Sequence, residues 1–297
     1  MSQRALRVHA DGVVLRVVEH GAGPPVVLLH GFTGSAATLT EIAAGLRDDH
    51  RTLSIDLVGH GGSEAPRELA PYRMQRCAAQ VAAAVAALGA GPAHFIGYSM
   101  GGRVALALCA WRPDLVASAL VVGARAGFAD PAERATRTAA DGALADRIER
   151  DGVEPFVDDW MTRPLFESQR RLGADALADA RAQRLANAPH ALANSLRGMG
   201  AGAQPPLHDE LAEFPGPLCL AVGAEDARFR TVADELAARL PGASVALVPH
   251  AGHAAHLENP AAFLQIARRF LKDAAAHDPT QSRAPESLPA HARGISP

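Results

Sequence analysis

Along the chain, short apolar runs alternate with longer stretches in which Ala and Leu recur at helical spacing. Val13–Val18 is β-rich and follows a turn signal at Asp11-Gly12. Val26–Leu29, Arg51–Ile55, His94–Gly97, Leu120–Val122, Leu218–Val222 and Val245–Val248 continue the series. Several are apolar at every position rather than at alternate ones, the mark of strands covered on both faces. Between them, Cys77–Leu88, Arg103–Trp111, Ala233–Leu240 and Ala261–Leu271 read as helices. This alternation predicts an α/β fold with a mostly parallel sheet flanked by helices.

The rhythm breaks between residues 127 and 208, where the chain is charge-rich and carries no strand pattern. An insertion of this kind after a sheet strand is expected to form a helical cap. The predicted division is a core in two parts, 1–126 and 209–273, with the cap at 127–208. Residues 274–297 hold Pro, Ser, His and Ala without periodicity and are expected to form a disordered tail.

Composition narrows the possibilities. With 48% hydrophobic and 21% charged residues, the 297-residue chain is globular. A net charge of −3 gives no electrostatic footprint for nucleic acid or an anionic membrane. No apolar run approaches the roughly 20 residues of a membrane span, and the N-terminus has no basic-then-apolar signal pattern. A soluble, cytoplasmic protein is expected. Cys77, Cys109 and Cys219 are too scattered for a disulfide framework or a metal site. Lys272 is the only lysine, so arginine abundance carries no information and only arginine placement does.

The residues with chemical potential sit where the apolar runs end, the edge at which α/β sheets bind ligands. Gly97-Tyr98-Ser99-Met100-Gly101-Gly102 matches G-x-S-x-G between a predicted strand and a predicted helix. The glycines permit a turn too tight for side chains. Ser99 is thereby raised to a helix N-terminus, where free N–H groups favour negative charge. On the α/β-hydrolase fold an acid and then a histidine follow such a serine. Gly223-Ala224-Glu225-Asp226 supplies the acid, with Asp226 preferred and Glu225 as fallback. His253 is the expected base; His250 is assigned a structural part and His256 an orienting or surface one. In His30-Gly31-Phe32, the Phe32 backbone N–H is expected to form an oxyanion hole with that of Met100. The loop from Asp56 to Ser63 reads as a brace beside the site.

Arg103 stands four residues after Ser99, on the same helix face. A guanidinium there suits an anionic substrate, because Arg grips carboxylates in bidentate fashion. The spacing leaves equally open a surface arginine paired with a local acid.

At this point the chain resembles a family, the 2-succinyl-6-hydroxy-2,4-cyclohexadiene-1-carboxylate synthases of menaquinone biosynthesis. The resemblance rests on Gly97–Arg103, His30-Gly31-Phe32, and Asp56 with Gly59-His60-Gly61. It extends to Trp160 with Pro164-Leu165-Phe166, to the stretch from Asn194 to Gln204, and to the acid loop from Gly223 to Phe229. Where many members carry a tryptophan, this chain has Thr38-Leu39-Thr40.

The resemblance implies a lyase that eliminates pyruvate from 2-succinyl-5-enolpyruvyl-6-hydroxy-3-cyclohexene-1-carboxylate, with the triad acting as base and no cofactor or metal. The substrate it implies carries three carboxylates. Arg137 and Arg184 are then expected to join Arg103 in binding it, with Tyr98 and Trp160 lining the pocket. A solvated helix face is the competing account of Arg137 and Arg184, and Arg134 and Arg181 are neighbours that could replace them. The competing functions are a serine esterase or C–C bond hydrolase with the same triad, and a binding protein that keeps only the fold.

Overall fold

An eight-stranded sheet forms the spine of the molecule. In a computed structural model that describes residues 3–276, its strands are β1 (Arg4–Ala10), β2 (Val13–His20), β3 (Pro25–Leu29), β4 (Arg51–Ile55), β5 (Ala93–Tyr98), β6 (Val116–Val122), β7 (Leu218–Gly223) and β8 (Ala243–Val248). Their spatial order is β1-β2-β4-β3-β5-β6-β7-β8. The β1–β2 and β2–β4 pairs are antiparallel, and the rest are parallel.

The helices are α1 (Thr40–Leu46), α2 (Met74–Ala87), α3 (Met100–Trp111), α4 (Pro131–Asp151), α5 (Val153–Met161), α6 (Ala174–Leu185), α7 (Pro189–Met199), α8 (His208–Ala212), α9 (Ala227–Arg239), α10 (Ala255–Glu258) and α11 (Pro260–Ala275). The fully apolar strands lie where both faces are covered. Val26 and Leu28 of β3 join the cluster of Ile42 and Leu46 from α1 and Phe263 and Leu271 from α11. Val27 and Leu29 point the other way, into the cluster of Val81 from α2, Val104 from α3 and Leu236 from α9. Alternate side chains of one strand thus serve two cores.

β1 is not among the predicted strands. Its Val8 and Ala10 are buried while Arg7 and His9 are exposed, the half-buried alternation of an edge strand. It returns to β2 through Asp11-Gly12, whose φ values of 47° and 85° are those of a two-residue hairpin turn.

Between β6 and α8 the chain is helical, from α4 to α7 with a 3₁₀ stretch at Pro164–Leu172. These helices keep a core of their own, including Ile148, Phe156, Val157, Leu192 and Leu196, with Phe32 and Trp160 packed against it. Helix α11 continues to Ala275 and so takes in the first two residues, 274 and 275, of the tail expected to be disordered; residues 277–297 of that tail lie outside the described residues. Among the described residues, no helix is long and apolar enough to cross a membrane.

Candidate active site

Strand β5 ends at Tyr98 and α3 begins at Met100, so Ser99 alone makes the turn. Its φ of 49° and ψ of −105° are unusual for a residue with a side chain, a state that costs on the order of 1–3 kcal/mol. Neighbouring backbone holds it there. Ser99 N–H donates to Val122 O at 2.8 Å, and Ser99 O accepts from Arg103 N–H at 3.0 Å. The glycines follow from close approach: a Cβ on Gly101 would collide with the Leu29 carbonyl, and one on Gly97 with the Gly101 carbonyl.

The turn delivers Ser99 to the predicted partners. His253 Nδ1 lies 2.9 Å from Asp226 Oδ2, and Nε2 lies 3.2 Å from Ser99 Oγ. A carboxylate only accepts, so the ring proton belongs on Nδ1 and Nε2 is free to take the serine proton. Asp226 Oδ1 accepts from Phe229 N–H at 3.1 Å, which fixes the carboxylate at the start of α9. Glu225 turns outward and pairs with Arg171. The His253 loop is clamped by a buried carboxylate: Glu258 accepts from Gly252 N–H at 2.6 Å and from Ala254 N–H at 3.1 Å. Phe229 stacks beside the His253 ring, with centroids 4.6 Å apart. His256 is buried rather than on the surface, 4.5 Å from the Tyr98 ring, and burial pushes it down to about 3.

The Phe32 and Met100 N–H groups have no backbone acceptor among the described residues, as an oxyanion hole requires. The loop carrying Phe32 is braced from below. His30 Nδ1 faces Gly31 O at 2.8 Å while Nε2 accepts from Leu57 N–H at 3.0 Å. Asp56 is fully buried, accepting from Ala36 N–H, Gly62 N–H and Arg16. These bonds match the bracing part expected of that loop.

Above the serine lies a cavity of about 1180 Å³, open mouth included, walled by core loops and by the helical insertion. Tyr98, Arg103, Arg137, Trp160 and Arg184 all line it. Arg103 is buried, and Nη1 donates to Met199 O at 2.6 Å and to Gln204 Oε1 at 3.3 Å. It is therefore no surface arginine paired with an acid. Burial lowers its pKa to about 10, and Asp141 opposes that fall. Arg137 pairs with Asp141 at 2.8 Å, and Arg184 donates to Ala180 O at 2.8 Å. Trp160 meets Phe32 edge to face at 5.7 Å. Arg181 instead pairs with Glu154 and Asp158, and Arg134 is not a lining residue. Thr38 stands in the wall where a tryptophan was looked for.

Two lining arginines, Arg125 and Arg228, are absent from the predicted set, as are Phe229, Gln169 and Gln183. Arg125 follows the end of β6 and Arg228 the acid, so the strand-end rule could have flagged both. No Asp or Glu is among the described lining residues. Nor do the described residues contain a cluster of three or more His, Cys, Asp or Glu able to hold a metal.

A family model for the alpha/beta hydrolase fold matches residues 24–260. A Serratia proteamaculans protein named 2-succinyl-6-hydroxy-2,4-cyclohexadiene-1-carboxylate synthase is 33% identical, over 86% of this chain and 97% of its own length. A Bacillus subtilis protein provisionally given the same name is 39% identical, over 88% of this chain and 96% of its own. Among solved structures, MenH from S. aureus superposes with a TM-score of 0.82 at 28% identity, covering 87% of this chain and 98% of that one. A malate-bound thermophilic esterase from Thermogutta terrifontis gives a TM-score of 0.81 at 25% identity, covering 91% and 99%. With the family model over most of the chain and relatives 33% and 39% identical along nearly their whole length, the chain belongs to the 2-succinyl-6-hydroxy-2,4-cyclohexadiene-1-carboxylate synthase family of the α/β-hydrolase fold.

Proposed function

We propose that the protein is a lyase of menaquinone biosynthesis. It eliminates pyruvate from 2-succinyl-5-enolpyruvyl-6-hydroxy-3-cyclohexene-1-carboxylate to give 2-succinyl-6-hydroxy-2,4-cyclohexadiene-1-carboxylate. The observation that carries this reading is a serine triad opening into a cavity lined by five arginines and, among the described residues, by no carboxylate. A site for neutral esters has no use for that charge, whereas a substrate with three carboxylates does.

In this reading His253 Nε2 takes the Ser99 proton, and the Ser99 alkoxide removes the ring proton beside the succinyl ketone. The ketone oxygen gains negative charge and rests against the Phe32 and Met100 N–H groups. The electron pair returns through the ring as the C–O bond to the enolpyruvyl group breaks. The ring becomes a diene, and the leaving enolpyruvate takes up a proton to become pyruvate. Asp226 keeps the His253 proton on Nδ1 and steadies the imidazolium. Arg103, Arg137 and Arg184 hold substrate carboxylates, and Tyr98 and Trp160 wall the ring. Residues 127–208 act as the cap, and the enzyme works in the cytoplasm on this small anionic partner, without a cofactor.

The test is pyruvate release from that substrate by the wild type, Ser99→Ala and Arg103→Ala. Fast release that falls by about 10³-fold or more in Ser99→Ala fits the reading. No release above the uncatalysed rate, together with turnover of small neutral esters, would replace it with a hydrolase using the same triad.

A further inference from the structure

The five arginines of the cavity are not equally engaged. Arg103, Arg137 and Arg184 each donate a side-chain hydrogen bond to the protein. Arg125 and Arg228 make no side-chain hydrogen bond and no ion pair among the described residues. Both nevertheless stand on fixed backbone. The Arg125 carbonyl accepts from Gln204 Nε2 at 3.3 Å, and Gln204 also holds Arg103. Its guanidinium lies 3.9 Å over the Phe128 ring, which sets its direction without consuming a donor. Arg228 sits in the first turn of α9, where Asp226 accepts from Phe229 N–H.

The two arrive from adjacent strands. β6 and β7 are parallel neighbours, and Arg125 and Arg228 lie just past their carboxyl ends. Burial lowers the Arg125 pKa, and the charges of Arg228 and Arg137 lower it further. Glu133 and Glu235, which line an adjoining pocket on the other side of Arg125, act on it in the opposite sense, and neither forms an ion pair with it. Arg125 is half-buried and Arg228 is exposed at the rim; like charges on one wall, with no ion pair to either, repel until an anion arrives between them.

From this juxtaposition we infer that Arg125 and Arg228 form a carboxylate-binding subsite on the β6–β7 side of the cavity, separate from Arg184 on the insertion. It takes one carboxylate of a polycarboxylate substrate, and its donors are free because the ligand supplies the acceptors. The inference deepens the proposed function and rests on it for the identity of the substrate, but not for the anionic class of the ligand.

Kinetics of pyruvate release by Arg125→Ala, Arg228→Ala and Arg125→Lys test it, with thermal unfolding as a check on folding. Each alanine variant is expected to raise KM about tenfold or more while changing kcat far less. Arg125→Lys should recover only part of the loss, because a point charge cannot replace the planar fork. A KM within about twofold of wild type in both alanine variants overturns the subsite while leaving the lyase intact. If the wild type releases no pyruvate, calorimetric titration with tricarballylate (propane-1,2,3-tricarboxylate) decides the matter. Binding that is lost in both alanine variants upholds the subsite. Absent binding, or binding that both variants retain, overturns it.

Discussion

At the scale of single residues, the site depends on groups that have almost no freedom to be otherwise. Gly123 follows β6 with a φ of +56°, and a Cβ there would lie 2.8 Å from the His253 ring. Gly123→Ala is therefore expected to cost about 1 kcal/mol or more from backbone strain alone. It should also tilt the imidazole and lower kcat by at least about tenfold, since small misplacements are costly in catalysis; urea melts and steady-state rates would separate the two effects. The buried histidines make a second prediction. His60 and His256 are held down to about 3 by burial, and His30 is also lowered. Folded, they bind fewer protons than the unfolded chain as pH falls from their usual 6.5 toward 3, so stability is lost through that window. His256→Phe keeps the stack on Tyr98 and should flatten the slope of unfolding free energy against pH by up to about 1.4 kcal/mol per unit. An unchanged slope would remove His256 from this account. Ser99, Asp226 and His253 were legible because the chemistry fixes their order and places them at strand ends. Arg125 was passed over although it stands at a strand end, because in a chain with one lysine an arginine there does not stand out until its lack of partners is visible.

At the scale of elements, the loop before α10 shows how a catalytic side chain is aimed. Glu258 closes α10 and accepts from the peptide N–H groups on either side of His253. Glu258→Ala leaves both donors without an acceptor, at about 1–3 kcal/mol each. It should lower kcat much more than it raises KM, because Glu258 does not line the cavity. Glu258→Gln, which keeps an acceptor oxygen, should recover a part of kcat; a rise in KM with kcat unchanged would contradict a positioning role. The elements were read unevenly from the sequence. β3 and β7 announced themselves because strands buried on both faces are apolar throughout. β1 stayed hidden because an edge strand needs only one apolar face, and Leu6, Val8 and Ala10 supply that among two arginines and a histidine. The Gly-rich segment after α7 resembled a family pattern without an evident reason. The structure supplies one: a Cβ on Gly202 would strike Thr138 of α4, and this close passage brings Met199 and Gln204 onto Arg103.

At the scale of the whole molecule, the sheet supplies Ser99, Asp226 and His253 while the helical insertion closes the space above them. The two are joined through Phe32, packed against the insertion's own core, and through Arg171 of the 3₁₀ stretch. Arg171 reaches Glu225 at 2.8 Å, beside the triad acid, and lies 3.8 Å from Glu258, which steadies the triad base. It is exposed, so its ion pairs are weak and screened by salt. Arg171→Ala is expected to leave the unfolding midpoint nearly unchanged and to lower kcat severalfold. Raising ionic strength should depress the wild-type kcat more than that of the variant, and equal salt responses would show that the contact does not matter. One exposed side chain of the insertion thus touches both the acid loop and the base loop, so a shift of the 3₁₀ stretch would reach the two halves of the triad together.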